Sequence, residues 1–474
     1  MKTRFSINQI SFGTLARLCG GELHQGALGE VSVRFICTDS READANTAFV
    51  ALRGERVDGH DFIAAALQNG CRCVICEHRN EALAASDATA IVVNDTELAL
   101  SRLANNYAKQ YLRCRSVAVT GSVGKTTTKD LIASVLSVGY QTAKTPGNHN
   151  SLVGMPLSML GLSADSDYAV LEMGMSGFGE IERLSITAEP DIAVITNIGS
   201  SHLELLGSRE NICRAKLEIL SGLKQNGVLI LSADEPLLEG VRGKSYRTLY
   251  VSLFRENADF FAKNIRVETD RTVFDAVCDG VEMKDLCIRI LGKHNVYAAL
   301  YALAVARLAG LGEDEIRAGL FAYAPDGMRQ HIYPMGKITV IEDCYNASPE
   351  SMIAAVDVLE EYSRRVGKRS VAVLGDMLEL GNESPALHRS VGAYLAEKKI
   401  DRLFTVGKRA AQIAVGARQC GMQKDAIAQH GEIRTPDDVG VELLRHIHEG
   451  DVVLFKASRA VGAERIIDYL RARV

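Results

Sequence analysis

SVAVTGSVGKTTTKDLIASVL, residues 116–136, is the stretch on which the fold turns. A short apolar run ends at Gly121, and a helical pattern resumes by Leu131. Between them Gly121-Ser122-Val123-Gly124-Lys125-Thr126-Thr127 has the make-up of a loop that cradles phosphate. Glycines let backbone N–H groups converge on anionic oxygens, and the N-terminus of the next helix adds partial positive charge. In such a loop Lys125 would neutralise the β- and γ-phosphates and the Thr126 hydroxyl would ligate Mg²⁺. The long form of the motif has another glycine five residues before Gly124. Here that position is Val119, so the match is to a shorter variant. A glycine turn beside a solvated lysine is the plainer alternative, and the strand–turn–helix setting favours a nucleotide over it.

Outward from this stretch, YAVLEMG (168–174), DIAVITNIG (191–199) and GVLILSAD (227–234) are further apolar strands. Helical segments such as ENICRAKLEILSGL (210–223) separate them. Near-continuous apolar strands alternating with helices predict a parallel sheet covered on both faces. Residues 259–290 break the rhythm with alternating strands, read as a small antiparallel excursion. HNVYAALYALAVARLAG then predicts a helix ending at Gly310. Near Pro325 the chain restarts, and ITVIEDCYN (338–346), SVAVLGDM (370–377), RLFTVG (402–407) and DVVLFKAS (451–458) predict a second doubly wound unit without a phosphate loop. Before the loop, VRFICTDS, TAFVAL, RCVICE and AIVVND mix short strands with a helix near Asp61–Asn69. The expected fold is α/β in three domains: a small N-terminal α/β domain (1–97), a central phosphate-loop parallel-sheet ATPase domain (98–325) and a C-terminal Rossmann-like domain (326–474).

With 474 residues, 47% hydrophobic and 24% charged, each domain can bury a core. The net charge of −5 without a basic block argues against nucleic acid as a partner. No apolar run reaches the ~18 residues that span a bilayer, and polar residues interrupt every apolar stretch of the first 21 residues. A cytoplasmic protein without membrane insertion is expected. The eleven cysteines form no evenly spaced framework, and Cys71-x-Cys73-x-x-Cys76 reads as a buried strand rather than a metal site.

Ligands of parallel α/β sheets collect at the carboxyl ends of strands. Glu172 ends one strand, Asn197 another, His202 lies five residues beyond, and Lys216 sits on the next helix. Taken singly they read as a cap, a satisfied loop residue and a solvated helix face. Behind a phosphate loop a metal is needed, and Mg²⁺ takes hard oxygen ligands. A histidine is then unusual and a cationic lysine impossible, so these residues alone leave the set unexplained.

TGSVGKTTTK, TPGNHNSLVGMPL, LEMG, TNIGSSHLELLGS, AKLEIL, GKHN and IEDCYNASPESM follow one another along the chain. In that order they resemble the Mur ligases, which build the peptide of the bacterial cell wall. DCYNASPESM (343–352) and GDMLELG (375–381) narrow the resemblance to the branch that adds D-alanyl-D-alanine. The resemblance implies ATP bound at residues 121–127, with Lys125 on the phosphates. It implies two Mg²⁺ ions: Thr126 and Glu172 match ligands of the first, His202 a ligand of the second. Lys216 matches a position that is carbamylated in relatives, which turns a cation into an oxygen donor. Asn295 matches the residue facing adenine, and Arg329 and Asp343 match residues that meet phosphate and ribose. One departure is local: the family usually shows Gly-Arg where this chain reads Gly327-Met328-Arg329.

The implied substrates are UDP-N-acetylmuramoyl-tripeptide and D-alanyl-D-alanine, joined by a monomer through an acyl phosphate, with Lys125, Lys216 and His202 catalytic. Asn148 falls in the substrate region. At the N-terminal domain Ser40, Arg41, Asp58 and His60 are candidates for the UDP end, with turn capping an equal reading. Asn346, Lys456, Ser458 and Arg459 follow C-terminal strands, and Arg459 could grip the dipeptide carboxylate bidentately. The rivals are a diaminopimelate-adding enzyme, whose Asp-Asn-Pro-Arg motif is missing here, a folylpolyglutamate synthase, and a nucleotide switch, whose Asn-Lys-x-Asp guanine signature is missing too.

Overall fold

The structure, a computed structural model, describes residues 1–24, 31–54, 56–278, 280–325, 327–431 and 437–473. Its described residues build three large sheets and one two-stranded pair.

The central sheet has nine strands, in the order Thr142–Lys144, Tyr168–Glu172, Arg115–Thr120, Ile192–Ile195, Val228–Ser232, Arg247–Ser252, Phe260–Val267, Thr272–Cys278 and Val281–Ile288. The strand leading into the phosphate loop is parallel to both neighbours, Tyr168–Glu172 on one side and Ile192–Ile195 on the other. The next strand in the chain, Thr142–Lys144, lies beyond Tyr168–Glu172, and later strands fall on the opposite side. The loop therefore opens where the winding reverses, at the crevice of a doubly wound sheet. The stretch 259–290 forms antiparallel hairpins as expected, and because Phe260–Val267 pairs parallel with Arg247–Ser252 they extend the same sheet. Helix Asn295–Ala309, almost wholly buried, covers one face and stops at Gly310 in the left-handed region.

The N-terminal sheet has six strands, four parallel in the middle and one antiparallel at each edge, Lys2–Arg4 and Glu22–His24. Cys73 and Cys76 lie on its strand Cys73–Cys76, buried among apolar side chains, which accounts for the CxCxxC spacing as core. Helix Thr96–Tyr111 packs on the N-terminal helix Phe12–Cys19 and on the central helices Gly154–Leu160 and Glu180–Ala188. One continuous core runs from Phe5 through Leu103 to Leu184 and Leu231 as a result.

The C-terminal sheet orders its six strands His331–Met335, Ile338–Glu342, Val452–Lys456, Ser370–Gly375, Arg402–Val406 and Ile427–His430, parallel except the first. Because Ile338–Glu342 and Val452–Lys456 are neighbours, Asp343 and Lys456 emerge side by side from their carboxyl ends. Among the described residues no helix is long and apolar enough to cross a membrane.

Candidate active site

A cavity of 370 Å³ lies between the central and C-terminal sheets, floored by residues 122–127. The loop's shape follows from close packing. Gly121 has φ +148°, and a Cβ there would sit 1.9 Å from Thr196 Oγ1. Asn197, at the end of the neighbouring strand, accepts from Val123 N at 3.0 Å and donates to Val123 O at 3.0 Å, pinning the loop from the side. Helix Lys125–Leu136 starts at Gly124 with φ +80° and aims its unpaired N–H groups into the cavity. Lys125 Nζ folds back to donate to the carbonyls of Gly121 at 2.8 Å and Ser122 at 3.3 Å. Burial holds its pKa below the usual lysine value, against the pull of Glu172. Ser122 lines the cavity, and its hydroxyl is buried with no partner.

Glu172 is 1% exposed at the end of its strand and carries three contacts. Thr126 Oγ1 donates to its Oε2 at 2.9 Å, Asn150 Nδ2 to its Oε1 at 2.8 Å, and Lys129 Nζ lies 3.7 Å from Oε2. Thr126 and Glu172 are hard oxygen donors converging beside a phosphate loop, which suits Mg²⁺ completed by phosphate oxygens. Among the described residues no three His, Cys, Asp or Glu converge to hold an ion by themselves.

Lys216 and His202 line the same cavity. Lys216 is 1% exposed, and burial, with the Lys125 charge second, pushes its pKa well below the ordinary lysine value. Its helix, Arg209–Leu217, passes into a 3₁₀ turn at Glu218–Ser221, so the predicted single helix is tightened just after Lys216. His202 has φ +65°, and its Nδ1 lies 2.6 Å from Glu379 Oε2 of the C-terminal domain.

Across the cavity, the Arg329 guanidinium stacks 4.0 Å above the Tyr345 ring. Lys456 Nζ donates to Asp343 Oδ2 at 2.6 Å, which occupies the charge that the sequence suggested for substrate. Asn295 donates to Leu291 O at 2.7 Å and Gln330 Oε1 at 2.8 Å. Asn148 and Asn346 line the cavity with exposed side chains. Ser458 and Arg459 do not line it: Ser458 is buried and accepts from Leu378 N at 3.0 Å, and Arg459 lies against Met328 and 3.5 Å from Glu464.

No described residue before Ser122 lines the cavity. Ser40, Arg41, Asp58 and His60 sit on two capped 3₁₀ turns. Asp39 caps the first and binds Arg41 through both oxygens, and the Arg41 hydrogen bonds hold its carboxyl down at about 2. Asp58 caps the second and lies 2.6 Å from His60 Nδ1, while His60 Nε2 accepts from Glu77 N at 2.9 Å. That leaves the buried His60 ring with both nitrogens engaged inside its own domain.

Residues 32–108 match the Mur ligase family, catalytic domain; residues 119–306 match the Mur ligase middle domain; residues 328–459 match the Mur ligase, glutamate ligase domain. The chain is 39% identical to UDP-N-acetylmuramoyl-tripeptide–D-alanyl-D-alanine ligase of Bacillus subtilis, over 96% of each chain. The chain belongs to the Mur ligase family. The crystal structure of MurF from Acinetobacter baumannii superposes with a TM-score of 0.89 at 31% identity, covering 98% of this chain and 100% of that one. MurF ligase of Thermotoga maritima in complex with ADP superposes with a TM-score of 0.81 at 30% identity, covering 92% of this chain and 97% of that one.

In this Mur ligase the sequence did not single out Asn150, Tyr345 or Lys129. Lys129 stands one turn after Lys125 and reads as a solvated helix lysine. It is instead 1% exposed, and Nζ donates to the carbonyls of Thr145 at 2.9 Å and Gly147 at 3.1 Å. It thereby ties the loop carrying Asn148 and Asn150 to the phosphate-loop helix and faces Glu172. Lys129→Met keeps the length and removes the charge. It should cost about 2–4 kcal/mol by stranding two carbonyls and the buried Glu172, read as a fall of several degrees in Tm. An unchanged Tm would dismiss this tie.

Proposed function

We propose that this Mur ligase joins D-alanyl-D-alanine to the terminal peptide carboxylate of UDP-N-acetylmuramoyl-tripeptide, converting ATP to ADP and phosphate. The observation that carries this reading is the near-full-length likeness to ligases bearing that name, over a chain whose phosphate loop opens on an inter-domain cavity. The reaction is a step of peptidoglycan precursor synthesis. A carboxylate is a poor electrophile. Its oxygen attacks the γ-phosphorus, ADP leaves, and the acyl phosphate now has a leaving group. The dipeptide amine then forms the C–N bond, phosphate departs with the C–O electron pair, and the ammonium proton is lost to a base.

Here positioning and charge do the work. The N–H groups of residues 122–126 and Lys125 hold the polyphosphate, and Arg329 meets it from the opposite side. Thr126 and Glu172 would hold one Mg²⁺, whose charge offsets the charge on the transferring phosphoryl. His202 and Lys216 suit a second Mg²⁺ once Lys216 carries a carbamate, because a carbamate offers oxygens where an amine offers none. Asn295 is the candidate for the adenine edge, and Asp343, held by Lys456, is the candidate for the ribose.

Within the division 1–97, 98–325 and 326–474, the N-terminal part takes the UDP end, where Arg41, its side chain 87% exposed and paired with Asp39, is the candidate for the diphosphate. Asn148 approaches the peptide from the central part, and Asn346 the dipeptide from the C-terminal part. A monomer is the proposed working form. ATP dependence assigns the reaction to the cytoplasm. Phosphate release should require ATP, the UDP-tripeptide and D-alanyl-D-alanine together. Release from ATP alone at the full rate, or ligation of diaminopimelate or glutamate in place of the dipeptide, would overturn the reading.

A further inference from the structure

The backbone carbonyl of Leu291 accepts from two side-chain amides at once. Asn295 Nδ2 donates to it at 2.7 Å and Gln330 Nε2 at 2.6 Å. A carbonyl can only accept, so it decides which end of each amide is the nitrogen. Asn295 Nδ2 then gives its second proton to Gln330 Oε1 at 2.8 Å. Both amide protons of Asn295 are taken up within the protein. The polar atom that its side chain can offer a ligand is the acceptor Oδ1.

Gln330 reaches this place by an uncommon backbone. Its φ is +49°, in the left-handed region without being glycine. Such a conformation persists where the surroundings over-determine it. Here two side-chain hydrogen bonds hold it, to partners 35 and 39 positions away.

Asn295 and Gln330 both line the cavity, as do Ile290, Ile341, Ala355 and Val358. Leu291 packs in one core cluster with Ile341, Ala355 and Val358. The two amides thus stand at an apolar wall. With a polyphosphate on residues 122–127, the flat apolar faces of a nucleotide base suit that wall, and the polar edge of the base meets the amides. A free asparagine would be ambivalent toward such an edge, because its amide both donates and accepts.

We propose that Gln330 is a positioning residue that sets base specificity: it takes the second Asn295 proton and so makes Asn295 an acceptor only, which selects a purine with a 6-amino group over one with a 6-oxo group. The 6-amino N–H donates to Oδ1. A 6-oxo oxygen would face Oδ1 acceptor to acceptor, with both left unpaired.

The proposal rests on the reading of the cavity as an ATP site in a ligase, so the test measures binding apart from turnover. ITP differs from ATP only along this edge, with an oxygen at position 6 and a proton on N1. Calorimetric titration of the full chain with the Mg²⁺ salts of both nucleotides should show wild type preferring ATP at least about ten-fold. Gln330→Met keeps the side-chain length and frees the Asn295 proton to donate to a 6-oxo group. It should bind ATP within about three-fold of wild type and lower the preference at least about five-fold. Gln330→Glu, which still accepts the Asn295 proton, should keep the preference. The kcat/KM ratio for ligation with the two nucleotides should follow the binding ratio. A preference lowered in Gln330→Met, in a chain that shows no ligase activity, would sustain the role of Gln330 and remove the ligase reading. Unchanged preference in Gln330→Met, a Gln330→Glu chain as permissive as Gln330→Met, or a wild type that binds both nucleotides alike or neither, would overturn the role of Gln330.

Discussion

Lys125→Ala should reduce ATP-dependent ligation about a hundred- to a thousand-fold, about 3–4 kcal/mol in the barrier, while the chain stays folded. Both halves of that expectation come from where the side chain sits. Its Nζ is held only by two loop carbonyls, Gly121 O at 2.8 Å and Ser122 O at 3.3 Å, and it is part of the cavity wall. Those carbonyls can turn to water when the amine is removed. The helix it begins is anchored elsewhere, by Leu131, Ile132, Val135 and Leu136 in the central core. No other side chain on the loop can follow a phosphoryl group as negative charge shifts toward ADP. Arg329 reaches the cavity from the other domain, so a residual rate should survive. Phosphate release under saturating substrates measures the rate, and circular dichroism with Tm measures the fold. A folded variant at near-normal rate would exclude this lysine from phosphoryl transfer.

Much of the fold is legible because buried parallel strands have no polar face. SVAVT, YAVLE, DIAVI and GVLIL show unbroken apolar runs because helices cover the sheet on both sides. The elements that escape such a reading are the edge strands, which are short and half-solvated. Thr142–Lys144 is three residues with no buried side chain. His331–Met335 contains Pro334, which argues against a strand, yet it is an edge strand whose Pro334 pairs opposite Thr339. The alternating pattern over 259–290 does mark antiparallel pairing. It carries no signal for which sheet the hairpins join, because that depends on two residue pairs between Arg247–Ser252 and Phe260–Val267.

The candidate site divides along a similar line. Residues 121–127 are legible because the chemistry is local: the glycines, the lysine and the helix start lie within one loop. Long-range partners are not written in local spacing. Lys456 and Asp343 are 113 positions apart, and Ser458 and Leu378 80 apart, so both C-terminal residues read as free polar groups when the fold has already paired them. Lys129 is hidden for the opposite reason, since a lysine one turn along a helix ordinarily points to water and this one is covered by the loop from Thr145 to Asn150. Glu350 and Glu379 fall in segments that the family resemblance marks, but their partners Ser200 and Glu204, on the loop carrying His202, appear only when two domains are folded against each other.

Lys216→Ala should lose activity at least about a hundred-fold, and acetate or another short carboxylate should restore part of it. The argument begins with burial. Lys216 is 1% exposed, and its pKa is driven well below the ordinary lysine value by that burial and by the nearby Lys125 charge. Depression of a lysine pKa favours the neutral amine, the nucleophilic form. Its nitrogen can add to the carbon of CO₂, forming the N–C bond and releasing one proton, and the product is an anion in place of a cation. That exchange suits a cavity already lined by Lys125 and Arg329, and it supplies the oxygens that a cation beside His202 would need. Removing the side chain to Cβ leaves room for a free carboxylate, which is why Ala should respond to acetate. Lys216→Met fills the same space without oxygens and should stay inactive at every acetate concentration. Activity of the wild type should fall in CO₂-depleted buffer and return with bicarbonate. The dependence should steepen as pH falls, because protonation of the amine competes with carbamate formation. Full activity of Lys216→Arg would mean that a plain cation is enough at this position, and the carbamate would have no place in the mechanism.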